Sequence, residues 1–302
     1  MRSLQLGSIR IDKVGEIDTL WFDPAWLYPG IEPAMLRHAS LRDARLVEPV
    51  SQRLALSFHS YLIRAPGWCM LVDTCNGNHK TRPPAMAWQH QLASDRYLTN
   101  LAALGLQPTD VDAVLCTHLH ADHVGWNTRL ADGRWVPTFA NARYLFARRE
   151  FEHWAALHVA GPPERAGHGA FADSVLPVLA AGQADLIDDD HAVLTHLHDR
   201  IWLAASPGHT PGHVSVHVAA GGGAAVLCGD VIHHPVGIHE PQLYSIGDAD
   251  RALAERTRRR LLEHCAGSGA LLLPAHFPSP TAARVHDVGG GRFCFAFDDA
   301  LA

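Results

Sequence analysis

Short apolar and β-branched runs recur along this chain, and several of them run straight into a histidine or an aspartate. The runs read as strands are 58–65 (FHSYLIRA), 68–74 (WCMLVDT), 111–117 (VDAVLCT), 142–147 (ARYLFA) and 201–206 (IWLAAS). Four more are 213–219 (HVSVHVA), 224–230 (AAVLCGD), 270–275 (ALLLPA) and 292–297 (RFCFAF). The Pro66-Gly67 pair between the first two marks a hairpin turn. Between the later runs, DRYLTNLAALG sets Tyr97, Leu98, Leu101 and Leu104 near a helical period and stops at Gly105. RREFEHWAAL and DRALAERTRRRLLEHC read as further amphipathic helices, and the RTRRR stretch (256–260) as a solvated helix face. Strand groups alternating with helices predict a layered, mixed α/β protein. A chain of 302 residues that is 47% hydrophobic can bury the core such layers need.

The segment CTHLHADHVGWN follows one of these strands and places His118, His120, Asp122 and His123 within six positions. In an extended segment His118 and His120 fall on the same side. As the chain turns into a helix start, Asp122 and His123 aim at a second point close by. Neutral imidazole and carboxylate are donors that zinc, iron and manganese accept. Three other strand ends offer partners. SPGHTPGH (206–213) presents His209, with His213 as a rival; VLCGD (226–230) ends in Asp230; LLLPAH (271–276) ends in His276. A carboxylate such as Asp230 can give one oxygen to each of two metals.

Composition removes several function classes. The net charge of −6 argues against nucleic acid or an anionic membrane as partner. No stretch has the roughly 18 consecutive apolar residues of a membrane span, and the N-terminus lacks the apolar region of a signal peptide. Six scattered cysteines without C-x-x-C spacing read as reduced, mostly buried thiols, as expected of a cytoplasmic protein.

The order H-x-H-x-D-H, P-G-H, G-D and a late histidine resembles the metallo-β-lactamase superfamily over about residues 55–280. That resemblance implies an αββα sandwich with the site at one edge, and a cofactor of two divalent metal ions: zinc first, with manganese, cobalt or iron as alternatives. It assigns His118, His120 and His209 to one metal, Asp122, His123 and His276 to the second, and Asp230 to both. Asp73, in LVDT, would support the ligand loop from behind, with Thr117 a further supporting candidate. Cys228 lies two residues before Asp230, where zinc β-lactamases carry a ligand cysteine at the aspartate position; this demotes antibiotic hydrolysis. The expected activity is hydrolysis of a small-molecule lactone, ester or phosphotriester by a metal-bridging hydroxide. Alternatives are hydrolytic dehalogenation of the chlorothalonil type and a mononuclear Fe(II) centre like that of persulfide dioxygenases. Asp122 and Asp230 are catalytic candidates. The family's lactonases use a tyrosine soon after the bridging aspartate; here DVIHHP offers His233 and His234, and His233 is the candidate proton donor.

The chain is read as one domain over 1–302, with 1–55 an N-terminal extension or lid and 281–302 a C-terminal strand or tail. The 20–50 segment could cover the site or join two copies in a homodimer, and 160–170 is the best candidate for a mobile loop. Trp21, Phe22, Trp26 and Trp126 are read as core first and as pocket wall second.

Overall fold

The computed structural model describes residues 3–196 and 199–298. In chain order the first strands are β1 (Leu4–Leu6), β2 (Ile9–Phe22), β3 (Leu54–Ala65), β4 (Trp68–Val72) and β5 (Ala113–Cys116). They are followed by β6 (Thr128–Ala131), β7 (Arg134–Pro137), β8 (Arg143–Ala147) and β9 (Ala184–Ile187). The second set is β10 (Ala192–His196), β11 (Asp199–Ala205), β12 (Val214–Ala220), β13 (Gly223–Gly229), β14 (Leu271–Pro274), β15 (Ala283–Gly289) and β16 (Arg292–Phe297). The α-helices are α1 (Pro24–Leu27), α2 (Arg96–Ala103), α3 (Ala121–Val124), α4 (Arg148–Ala160), α5 (Leu176–Ala180), α6 (Val236–His239) and α7 (Arg251–Ser268). One seven-stranded sheet has the order β1-β2-β3-β4-β5-β8-β9, the other β10 to β16 in sequence, and β6-β7 form a separate hairpin. The mixed α/β class expected from the strand and helix pattern is present.

The chain divides into two compact units. The central unit holds Ile11–Glu16 and Phe58–Asp189. Its β3-β4 hairpin turns at Pro66-Gly67, and β4, β5, β8 and β9 then run parallel. Parallel neighbours present the same end of each strand side by side, so residues that follow β4 and β5 become neighbours although about forty positions separate them. The core here is Leu62, Leu71, Val114, Tyr144 and Phe146 from the strands, closed by Tyr97, Leu101 and Trp154 from α2 and α4. Burying each such side chain stabilises by about 1.5–3 kcal/mol. The 160–170 stretch contains two 3₁₀ turns, Pro163–Arg165 and Gly167–Gly169.

The terminal unit comprises the described residues within Met1–Arg10, Ile17–Ser57 and Asp190–Ala302. Its strands β10 to β16 pair antiparallel except β13 and β14, which are parallel and joined through α6 and α7. Gly229 and Pro274 are register partners, so the residues after them, Asp230 and His276, emerge at one edge. The late run 292–297 is β16, paired with β15.

The 14-residue strand β2 lies within the stretch read as an extension. Its sequence, IRIDKVGEIDTLWF, hides a strand because Asp12, Lys13 and Glu16 are charged yet buried. Asp12 is paired with Arg64 at 2.6 Å, and Glu16 accepts backbone and side-chain N–H groups of the central unit. Trp126 stacks on Tyr97 at 5.5 Å inside the core, and Phe22 stacks on Trp26 at 5.5 Å. Among the described residues no helix is long and apolar enough to cross a membrane. All six cysteines are free, five of them buried.

Candidate metal centre

In the central unit, β5 ends at Cys116 and releases Thr117–His120 as a loop before the single turn of α3, which carries Asp122 and His123. Asp73 stands just past the end of β4, beside Thr117, with a left-handed backbone (φ 61) that turns its carboxylate back on the ligand loop. It accepts from Thr117 N at 2.7 Å, from the Thr117 hydroxyl at 2.9 Å and from His123 Nδ1 at 2.9 Å. The Thr117 hydrogen is thereby spent on Asp73, so its oxygen accepts from His118 Nδ1 at 3.1 Å. Both rings are fixed as Nδ1–H tautomers with Nε2 lone pairs pointing away from their anchors. His118 Nε2 lies 3.0 Å from His120 Nδ1, and His123 Nε2 lies 3.9 Å from Asp122 Oδ2.

Two carboxylates that the sequence did not single out hold this loop. Glu150 of α4, buried, accepts from Leu119 N at 3.1 Å and from Trp154 Nε1 at 2.6 Å. Glu16 accepts from Asn76 and Gly77 and from Trp126 Nε1, tying the loop after β4 to the segment after α3. Backbone bonds Thr74 N to His123 O (2.7 Å) and Gly125 N to Cys75 O (2.7 Å) continue that seam. Gly125 belongs there because a Cβ would lie 1.9 Å from the Asn76 carbonyl.

In the terminal unit three imidazoles converge on one buried carboxylate. His209 Nε2 lies 3.3 Å from Asp230 Oδ2, His233 Nε2 3.1 Å from the same oxygen, and His276 Nε2 3.1 Å from Oδ1. His209 Nδ1 donates to Asp248 at 2.9 Å and His276 Nδ1 to the Ser57 carbonyl at 3.0 Å. A carbonyl and a carboxylate can only accept, so both rings carry their proton on Nδ1 and turn an Nε2 lone pair towards Asp230. Lone pairs facing a carboxylate at hydrogen-bond distance need a cation or a second proton between them. Without a metal the proton is the answer for His209: burial lowers its pKa, but hydrogen bonds and charge from Asp230 and Asp248 outweigh this and hold it at about 9. The donor set therefore fits divalent cations, whose ligand histidines carry an acceptor on the far nitrogen.

His209 sits in a tight loop whose Gly208 has φ +135, and a Cβ there would lie 2.3 Å from Ala254 N of α7. Thr257 of α7 donates to Pro207 O at 2.6 Å, and Ala249 N to His209 O at 3.0 Å. The rival His213 has both ring nitrogens in hydrogen bonds, Nδ1 to Ser206 Oγ at 2.8 Å and Nε2 from Asp230 N at 3.1 Å. It braces the Asp230 backbone. His233 and His234 part company: His234 turns to Leu46 O at 3.1 Å, away from Asp230. Burial pushes the His233 pKa down, and its buried Nδ1 has no hydrogen-bond partner among the described residues. Tyr28 meets the His233 ring edge-on at 6.5 Å. Cys228 is fully buried in β13.

The reading of RTRRR as a solvated face needs one correction. Arg256 and Arg260 are exposed, but Arg258 is 2% exposed and faces inward. Its charge is matched by Asp248, the partner of His209, at 3.4 Å. Asp248 lies 39 positions from His209, and no local pattern links them.

Comparison with known proteins follows the same lines. N-acyl homoserine lactonase AiiA of Bacillus thuringiensis subsp. kurstaki is 26% identical over 184 residues, 55% of this chain and 63% of the relative. A probable metallo-hydrolase of Mycobacterium tuberculosis is 27% identical over 191 residues, 60% of this chain and 58% of the relative. The match thus spans less than two thirds of these relatives' length. Among solved structures, hydrolase AbOPH of the β-lactamase superfamily aligns with a TM-score of 0.76 at 22% identity, covering 97% of this chain and 96% of that one. AidC, a dizinc quorum-quenching lactonase in complex with a product, aligns with a TM-score of 0.75 at 19% identity, covering 98% and 97%. At such identities the likeness shows the fold. The family model for the metallo-β-lactamase superfamily matches residues 58–276, from the β3-β4 hairpin to the last candidate ligand, and the chain belongs to that superfamily.

Proposed function

We propose that the two ligand sets close on one another as a dinuclear centre, and that the protein is a metal-dependent hydrolase of small-molecule lactones, esters or phosphotriesters. In that reading His118, His120, His209 and Asp230 would serve one metal and Asp122, His123 and His276 the other. One observation carries the reading: the rings of His123, His209 and His276 are each anchored through Nδ1 to an acceptor, leaving Nε2 to face a carboxylate. When bound, two divalent cations supply a water acidified from about 15.7 towards about 7 and a Lewis acid for the substrate oxygen. The chain's own groups do the rest. Asp122, on the turn of α3, takes the proton of the attacking water. Asp230 is held in place among three imidazoles, and His233 beside it is the donor to the leaving group, its proton being made good by the one Asp122 takes from the water, so that the net transfer runs from water to leaving group. The curated relatives named N-acyl homoserine lactonase favour a lactone as the first substrate to try.

The test is a hydrolysis panel of lactones, aryl esters, thioesters, phosphotriesters and chlorothalonil, run on metal-replete and chelated protein with metal counted. Activity on at least one carbonyl or phosphoryl substrate, lost on chelation and regained with zinc or manganese at two equivalents, is expected. A panel flat in both states would overturn the hydrolase reading. A single equivalent of iron with oxygen consumption would replace it by the dioxygenase alternative.

A further inference from the structure

We propose that Arg258 is a positioning residue of the metal centre, acting through Asp248 on His209 and through the Val231 carbonyl on the segment that carries Asp230. The proposal rests on the metal-centre reading above. Asp248 gives one oxygen to each side: Oδ1 accepts from His209 Nδ1 at 2.9 Å, and Oδ2 accepts from Ser245 N at 2.9 Å and Arg258 Nη2 at 3.4 Å. The rest of the guanidinium is spent on backbone carbonyls. Nε donates to Val231 O at 2.8 Å, and Nη1 to Pro241 O at 2.9 Å and to Leu243 O. Val231 directly follows Asp230, so one planar, five-donor fork fixes two of the three metal-facing residues of this unit.

Charge explains why the group is an arginine. A histidine that ligates a metal is neutral. The side chain of Asp248 is fully buried, and its ion pairs among the described residues are with His209 and Arg258. With His209 neutral, as a ligand must be, Arg258 is the charged side chain that remains in contact with that carboxylate. A buried carboxylate without one would be strongly disfavoured. Arg258 therefore supports the ligand-competent form of His209, with Nδ1–H on Asp248 and Nε2 open.

Asp248→Asn separates this role from simple packing. The amide keeps the shape of the carboxylate, and its oxygen stays on Ser245 N, which must have an acceptor. Its NH₂ then faces His209 Nδ1 and forces the proton onto Nε2, the atom a metal needs. The experiment is a zinc titration against a chromophoric chelator for the wild type, Asp248→Asn and Arg258→Lys, with thermal unfolding of each metal-free protein. One of the two zinc equivalents should weaken about 10- to 100-fold in Asp248→Asn, the other staying unchanged, while the metal-free protein melts within a few degrees of the wild type. Arg258→Lys, which keeps the charge and loses the fork, should fall between the two. A purely structural role would lower melting and leave zinc affinity alone. Wild-type affinity at both equivalents in Asp248→Asn would overturn the proposal. A wild type that takes up no zinc would overturn the metal-centre reading and this inference with it.

Discussion

Replacing Glu16 by glutamine leaves the side chain's volume intact and takes away half of its accepting capacity. Four N–H groups point at this carboxylate: Trp126 Nε1 at 2.7 Å and Gly77 N at 3.1 Å on Oε1, Asn76 N at 2.9 Å and Asn76 Nδ2 at 2.6 Å on Oε2. Glutamine has one oxygen, so whichever way it turns, its NH₂ meets two donors. A buried donor left without its acceptor costs about 1–3 kcal/mol, which puts the loss at about 2–6 kcal/mol. An opposing effect trims this. Burial pushes the Glu16 carboxyl pKa up against the downward pull of the four N–H groups, so removing the charge relieves part of its desolvation. We therefore expect about 2–4 kcal/mol, read as a shift of the urea unfolding midpoint at unchanged slope. The seam between the loop after β4 and the segment after α3 should loosen with it. A midpoint shift worth less than about 1 kcal/mol would refute the claim that Glu16 is the clamp of that seam.

Other outcomes follow from the same geometry. His120→Ala or Asp230→Ala should abolish hydrolysis and lower metal content with far-UV circular dichroism unchanged; full activity in either would remove that residue from the site. Gly125→Ala, whose backbone angles suit any residue, should still destabilise by more than about 3 kcal/mol or fail to fold, because its Cβ would sit 1.9 Å from the Asn76 carbonyl. Gly105→Ala, with φ +83 and open space around it, should cost only about 1 kcal/mol by the same unfolding measurement. In metal-free protein His209 is raised from 6.5 to about 9, so its stabilising contribution is complete below pH 6.5 and lost as pH rises through about 9. Lys80, which burial pushes down to about 7, contributes the opposite slope. The readout is therefore the difference between wild type and His209→Asn in chelator, measured at pH 6.5 and 9. It should shrink with rising pH, and a difference that grows would reverse the assignment.

What was legible in the sequence is local. The strand runs, the Pro66-Gly67 hairpin, the helix ending near Gly105 and the amphipathic helix after Asp250 announce themselves because periodicity and turn chemistry act over a few residues. The candidate ligands were legible for the same reason: His118, His120, Asp122 and His123 share one loop, and His209, Asp230 and His276 each close an apolar run. The family, too, could be read from that order of motifs, and the match over 58–276 agrees. Glu16, Glu150, Asp248 and Arg258 were not legible. In one-letter code each looks like an ordinary surface charge, and Glu16 even masks the strand that carries it. Each is held by partners outside any local pattern, from Val231, 27 positions before Arg258, to Trp126, 110 positions after Glu16.

The tertiary structure also separated His233 from His234, and gave His213 a backbone to brace, choices that adjacent or similar residues cannot declare for themselves. The sequence by itself determined which donors exist and at which strand ends they stand. Only the fold decided that His118, His123, His209 and His276 commit Nδ1 to an anchor and leave Nε2 for the candidate site, because that depends on which strand ends lie side by side.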